Sequence, residues 1–199
     1  MPIHWITSNG GPYILTNLTT AALWKAAYGI SVRNGNGGND YKSACGVKGY
    51  AGVIQGSGGQ ILVINDLPND LMMYSNTDSE TVLVKWIGAD SDEQILSALT
   101  VEKNLPFENQ NISLVIAEPE LVIFDSSCLF DEVGKNKIDL KLVPGSYSVD
   151  VLNYEPHDQL MLQLFRFRPI AYPQSDNRNK GPQEEKPRRN RGETGTDHQ

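Results

Sequence analysis

Short apolar runs, bounded by Gly, Pro, Asn and Asp, set the rhythm of the first 170 positions. Residues 60–66 (QILVIND) and 81–87 (TVLVKWI) are rich in β-branched side chains and too short for most helices, which predicts strands. The stretch ISLVIAEPELVIFD reads as two strands interrupted at Pro119, because proline has no N–H to give to a ladder. Ile138, Leu140 and Leu142 alternate with Asp139 and Lys141. Beyond Pro144-Gly145, Tyr147, Val149 and Val151 alternate with Ser148 and Asp150. Period-two patterning on both sides of a Pro-Gly turn predicts a hairpin with one buried face. Residues 160–169 predict a last strand.

Helical signals are fewer. Residues 19–29 begin at a Thr cap and stop at Gly29, a residue free to take the left-handed conformation that ends helices. Residues 91–99 open with Ser91 and Gln94, spaced as a capping box, and Asp92 and Glu93 suit the positive end of the helix dipole. A third short helix is predicted at 39–46, ending at Gly46. The pattern gives an α+β fold, strand-rich, with antiparallel sheets and two or three short helices. Residues 99–111 join two halves: an N-terminal α+β half, 1–104, and a C-terminal antiparallel β half, 105–170, packed on it as one body. Residues 171–199 have no large aliphatic side chain and predict a disordered tail.

Charge adds a constraint. The chain carries a formal −7; its last 29 positions hold six basic and five acidic residues, which leaves −8 on the body. Such a body repels nucleic acid and anionic membranes and draws basic partners. No apolar run approaches the roughly 18 residues that cross a bilayer, and residues 1–12 lack the charged and apolar regions of a signal peptide, so a cytoplasmic protein is expected. Cys45 and Cys128 stand alone in sequence and are expected as small buried hydrophobes.

Candidate chemistry is sparse. The glycines at 35–38 and 56–59 lack the following Lys-Ser/Thr or helix of a phosphate cradle and read as turns. Glu155, His157 and Asp158 could ligate a cation, but they follow a strand at a proline and read as a surface turn. Asp125, Ser126 and His157 are the components a hydrolase would need, with no nucleophile-elbow glycines around the serine. No catalytic residue, metal or cofactor is therefore assigned. Trp5, Trp24 and Trp86 are flanked by aliphatics and read as core. Tyr13, Tyr41, Tyr50 and Tyr74 lie near Gly, Asp or Asn, a setting that suits a protein-binding surface. The alternative is a small-molecule or peptide-binding module with a pocket lined by Trp24 and Trp86.

The order of these marks carries more than any one of them. Trp5 and Gly10-Gly11-Pro12 are followed by Trp24, Asp40-Tyr41 and Cys45, then by Tyr50-Ala51-Gly52, GQILVINDLP, VLVKWIGADSDEQIL, LVIFDSS and LVPGSYSVDVLNYEPHD. Over about residues 4–168 this resembles the immunity protein 21 family of bacterial polymorphic toxin systems. The resemblance implies a non-enzymatic antidote that binds a cognate protein toxin and blocks it. The −8 body implies that this toxin is basic. Turns flanking rigid strands display binding groups, which makes Tyr41, Asp66, Asp70, Tyr74, Asp90 and Asp92 the expected interface. Within this pattern Gly10-Gly11-Pro12 is expected to be a backbone turn that returns residues 13–15 against the segment carrying Trp5.

Overall fold

The computed structural model describes residues 3–26, 39–56, 58–65, 69–75, 81–101 and 105–170. Among the described residues, eleven strands and three helices follow one another as β1 (Trp5–Ile6), β2 (Tyr13–Asn17), α1 (Leu18–Leu23), α2 (Asn39–Cys45), β3 (Ala51–Gly56), β4 (Gly59–Ile64), β5 (Leu71–Ser75), β6 (Thr81–Gly88), α3 (Asp92–Val101), β7 (Glu108–Ile116), β8 (Glu120–Asp125), β9 (Ile138–Lys141), β10 (Gly145–His157) and β11 (Leu160–Pro169). They form two antiparallel sheets, one ordered β1-β5-β6-β11-β10-β7 and the other β3-β4-β2-β8-β9. The strand-rich α+β class is the one the pattern predicts. Each sheet draws strands from both sides of residue 104.

The core is layered. All eleven strands send side chains into the space between the sheets, among them Ile6, Leu15, Leu62, Leu83, Ile123, Val149 and Phe165. The opposite face of the β3–β9 sheet is covered by Ala21 of α1, Trp24, Ala44 of α2 and Val133, which meet Ile14, Ile61, Val63, Val122 and Phe124. The outer face of the β1–β7 sheet is covered by Ile95 and Leu99 of α3, which meet Met72, Val82, Val84 and Leu162. This layering explains the unbroken apolar runs. All five residues of β2 are buried, as are the last four of β4 and the last five of β8, because both faces of those strands are covered. Strand β9, at a sheet edge, keeps strict alternation instead.

Three sequence expectations are corrected. Residues 138–151 are not a hairpin: β9 pairs with β8 in one sheet and β10 pairs with β7 and β11 in the other. Both strands bury one face toward the same core, so alternation is satisfied by a crossover as well as by a hairpin. Gly145 makes the crossing at a φ of 156°, and Tyr147 Oη fastens it by donating to the Val143 carbonyl at 2.7 Å. The Gly10-Gly11-Pro12 turn likewise passes from sheet to sheet. Strand β2 pairs with β4 and β8, not with β1, whose partner is β5. Gly10 has a φ of 113°, and a Cβ on Gly11 would stand 2.5 Å from Asp125 Oδ1. The first helix ends at Leu23 rather than at Gly29, which lies outside the described residues. Its cap is Asn17, whose side chain accepts from the Thr20 N–H, and Trp24 is extended so that its indole N–H reaches the Ser126 carbonyl at 2.8 Å.

The other helices match closely. In α3, Ser91 Oγ accepts from the Gln94 N–H while Gln94 Oε1 accepts from the Asp90 N–H, a capping box displaced by one residue. Gly46 closes α2 with an N–H to the Lys42 carbonyl. The 56–59 glycines form the tip of the β3–β4 hairpin beneath α1: a Cβ on Gly58 would meet Thr20 Oγ1 at 2.5 Å.

Candidate partner-binding surface

The interface residues expected from the sequence divide between layers. Tyr41 lies on α2, half-buried in the layer over the β3–β9 sheet. Asp66 lies outside the described residues. Asp70 precedes β5, where its carbonyl accepts the Trp86 N–H at 2.9 Å. Tyr74 on β5 packs in the layer under α3, with its hydroxyl 3.5 Å from Thr100 Oγ1. Asp90 is exposed just before α3, and Asp92 opens the helix while accepting the Trp5 indole N–H at 2.9 Å. Trp5 in turn tilts against Trp86, with ring centroids 5.3 Å apart. Tyr74, Asp90 and Asp92 thus belong with the α3 layer over the β1–β7 sheet, Asp70 stands at the start of β5 in that sheet, and Tyr41 belongs with the layer over the β3–β9 sheet.

The start of α3 has more carboxylates near it than the expected residues supply. Met161 is in register with Gly88, which brings the β10–β11 turn beside the start of α3. Asp158 of that turn is exposed, as are Glu155 near the end of β10 and Glu93. Its own backbone N–H and the Ser91 hydroxyl hold the Glu93 carboxyl below its ordinary range. Neither 86–101 nor 153–165 contains a Lys or Arg. In the sequence Asp158 stands beside Glu155 and His157 as a candidate ligand, and the absence of basic residues from both stretches is the one sign of its place near Asp90. Among the described residues no three His, Cys, Asp or Glu side chains are placed to hold a metal ion.

The hydrolase constellation does not assemble. Asp125 is buried and is consumed by structure: Ser8 Oγ and the Asn9 N–H bind one oxygen, and the Ser127 N–H binds the other at 2.7 Å. Ser126 is wholly buried, and exposed His157 caps its own turn by accepting from the Gln159 N–H. The alternative pocket fails on placement. Trp24 packs outside one sheet and Trp86 outside the other, with the whole inter-sheet core between them. Trp5 and Trp86 are half-buried rather than core, Tyr13 is core, and Cys45 at the end of α2 is exposed rather than buried. Burial, with the nearby charges of Asp70 and Asp125, pushes the Tyr13 phenol above its ordinary value, and it donates to the Ile6 and Asn69 carbonyls at 3.0 Å each.

Two buried polar groups were not legible in the sequence. Asp150 sits on the outer face of its sheet, where Ser148, Arg166 and Arg168 all donate to it, and Arg166 lies 4.2 Å over the Phe107 ring. Burial raises the Asp150 carboxyl, but the hydrogen bonds from Arg168, Arg166 and Ser148 outweigh it and leave the pKa below the usual range. Arg168 is raised in turn by its bond to Asp150. Alternation marks Asp150 as a polar position and gives no sign that arginines cover it. Lys85 is buried within the apolar run of β6 and donates to the Asn65 carbonyl at 2.7 Å. Its cross-strand neighbour Gln163 donates to Asn153, which donates to Tyr50 Oη. A polar set therefore closes one end of the inter-sheet core.

A cleft of about 430 Å³ opens between β5–β6 and the β8–β9 edge, with Leu18, Met73, Leu121 and Leu140 as its apolar lining and Glu120, Asp139 and Lys141 among its polar lining. No described helix is long and apolar enough to cross a membrane. Among curated proteins and among solved structures, nothing matches this chain. The family model described as Immunity protein 21 matches residues 4–159, from the start of the Trp5 strand through the long β10, and the chain belongs to that family.

Proposed function

We propose that this chain is the antidote of a toxin system: it binds a cognate protein toxin, blocks it by direct contact and catalyses nothing. Family membership across residues 4–159 is the observation that carries this reading. The charge distribution agrees with it. A body of −8 with Asp90, Asp92 and Glu93 at the start of α3 and Asp158 in the neighbouring turn suits a basic partner, and long-range attraction of this kind speeds encounter more than it tightens the final complex. On this reading the toxin meets the side carrying α3, with the carboxylates at the start of the helix and Tyr74 against Thr100 near its far end. Tyr41 on the opposite layer, together with Asp66, would serve a partner that wraps the sandwich. The site of action is the cytoplasm, where a toxin of the same lineage is made or delivered. Neither nucleic acid nor membrane is a partner.

Two stiff sheets, each covered outside as well as inside, make a scaffold suited to a preformed interface. Little ordering entropy is then spent on binding. The test is co-purification with the product of the adjacent gene, followed by charge reversal of Asp70 and Asp90. Slower association in the double reversal supports the electrostatic part. Unchanged association removes it, and failure to bind any neighbouring product removes the antidote reading itself.

A further inference from the structure

Strand β9 lies at the edge of its sheet, and among the described residues it pairs only with β8. The direction of its free backbone groups can be read from its neighbours. The Leu142 N–H reaches the Pro119 carbonyl on the β8 side at 3.1 Å. Within a strand N–H and C=O groups alternate sides, so Ile138 and Leu140 also face β8, and Asp139 and Lys141 turn theirs to the open edge. Lys137 follows the same parity, and there His4 Nε2 already meets its carbonyl at 3.0 Å. The open edge therefore begins after Lys137.

We infer that this edge pairs with the same edge of a second copy of the chain, antiparallel and centred on Leu140. In that register Asp139 stands opposite Lys141 of the other copy, and Lys141 opposite its Asp139. Both are the residues whose N–H and C=O groups are turned outward, so the two pairs form the hydrogen-bonded rungs, with Leu140 against Leu140 between them. Ile138 falls opposite Leu142. The pattern Ile-Asp-Leu-Lys-Leu is thus complementary to itself in charge and in apolar character. A two-fold axis through Leu140 makes the contact isologous and closed.

Charge selects this register. A slip of two residues in one direction sets Asp139 against Asp139, and in the other Lys141 against Lys141. The Asp139 and Lys141 side chains are 67% and 77% exposed, so both are available despite their local partners Lys137 and Glu120. Alternating charge protects an edge from unselective pairing; here the same charges admit one partner.

The test is light scattering and sedimentation of the full chain over a concentration series, because a short ladder gives a weak dimer. The expected result is a monomer–dimer equilibrium. D139K and K141D should each raise its dissociation constant about tenfold, since the two-fold axis doubles every charge change, while far-UV circular dichroism stays unchanged. The D139K/K141D double variant restores the opposite pairing and should dimerise again. A wild-type chain that stays monomeric to concentrations on the order of 1 mM overturns the inference, as does a double variant no better than the single ones. If the wild type is monomeric and D139K instead weakens toxin binding, the edge belongs to the toxin and self-pairing is refuted. None of these outcomes bears on the antidote reading, which rests on toxin binding.

Discussion

The two outer faces of the sandwich are covered in different ways. Over the β3–β9 sheet the cover is apolar almost throughout: Trp24, Ala21, Ala44, Val133 and Phe130 lie on Ile14, Val63, Val122 and Phe124. Over the β1–β7 sheet the cover changes character along its width. Near α3 it is apolar; near β7 it becomes the Asp150–Arg166–Arg168 cluster with Phe107, and at the α3 start it ends in half-buried Trp5 and Trp86 fringed with carboxylates. An apolar cover fixes a sheet by burial alone. A mixed cover leaves charge and aromatic surface within reach of solvent, and that is where a partner can be met. On the proposed reading, one face supplies stability and the other recognition.

The largest effect should separate the faces directly. Phe124→Ala removes a fully buried ring from the apolar cover and should cost about 3–5 kcal/mol in denaturant unfolding. Trp86→Ala on the mixed face, where the ring is half-buried, should cost clearly less; equal losses would erase the distinction. Gly11→Ala comes next. Its Cβ would press on Asp125 Oδ1, Ser126 Oγ and the Ser127 nitrogen, and overpacking of this kind costs about 1–3 kcal/mol.

Asp150→Asn should cost about 1–2 kcal/mol near neutral pH, a buried-pair loss reduced by the exposure of Arg168. Its signature is the pH dependence. The folded carboxyl lies below its unfolded value of about 3.9, so its contribution is full above that pH and is lost as pH falls through the lower folded value. The variant's acid-unfolding curve should be flatter than the wild type's in that window. A smaller loss, about 1 kcal/mol, is expected for Trp5→Phe, which deletes the indole bond to Asp92 and keeps most of the ring contact. Asp90→Lys should change stability by less than about 0.5 kcal/mol, since its side chain is exposed; its effect belongs in the association rate with the toxin.

Most strands were legible because burial on one face, or on both, leaves a mark of period two or an unbroken apolar run. Residues 160–169 and 81–88 are clear cases. What sequence cannot distinguish is which sheet a strand joins. Ile138–Leu142 and Tyr147–Val151 alternate as a hairpin would, because both look into one core from opposite walls. The same limit applies to Tyr13–Leu15, whose apolar run suits a partner in either sheet. The candidate surface was legible in part. Asp90 and Asp92 fall together at the start of α3, but Asp158 comes near them only through the Met161–Gly88 register, a contact some 70 positions apart in sequence. Alternation shows Asp150 as a polar position but not its burial, for a similar reason: its arginines arrive from the neighbouring strand.

The antidote account is tested most directly by titrating a fixed amount of the adjacent gene's toxin domain with the purified full chain and following toxin activity. The account predicts a linear fall that reaches zero at a fixed stoichiometric ratio, with the toxin recovered chemically intact from the complex. Full toxin activity in the presence of excess chain would contradict it, and so would inactivation by substoichiometric chain with a covalently altered toxin.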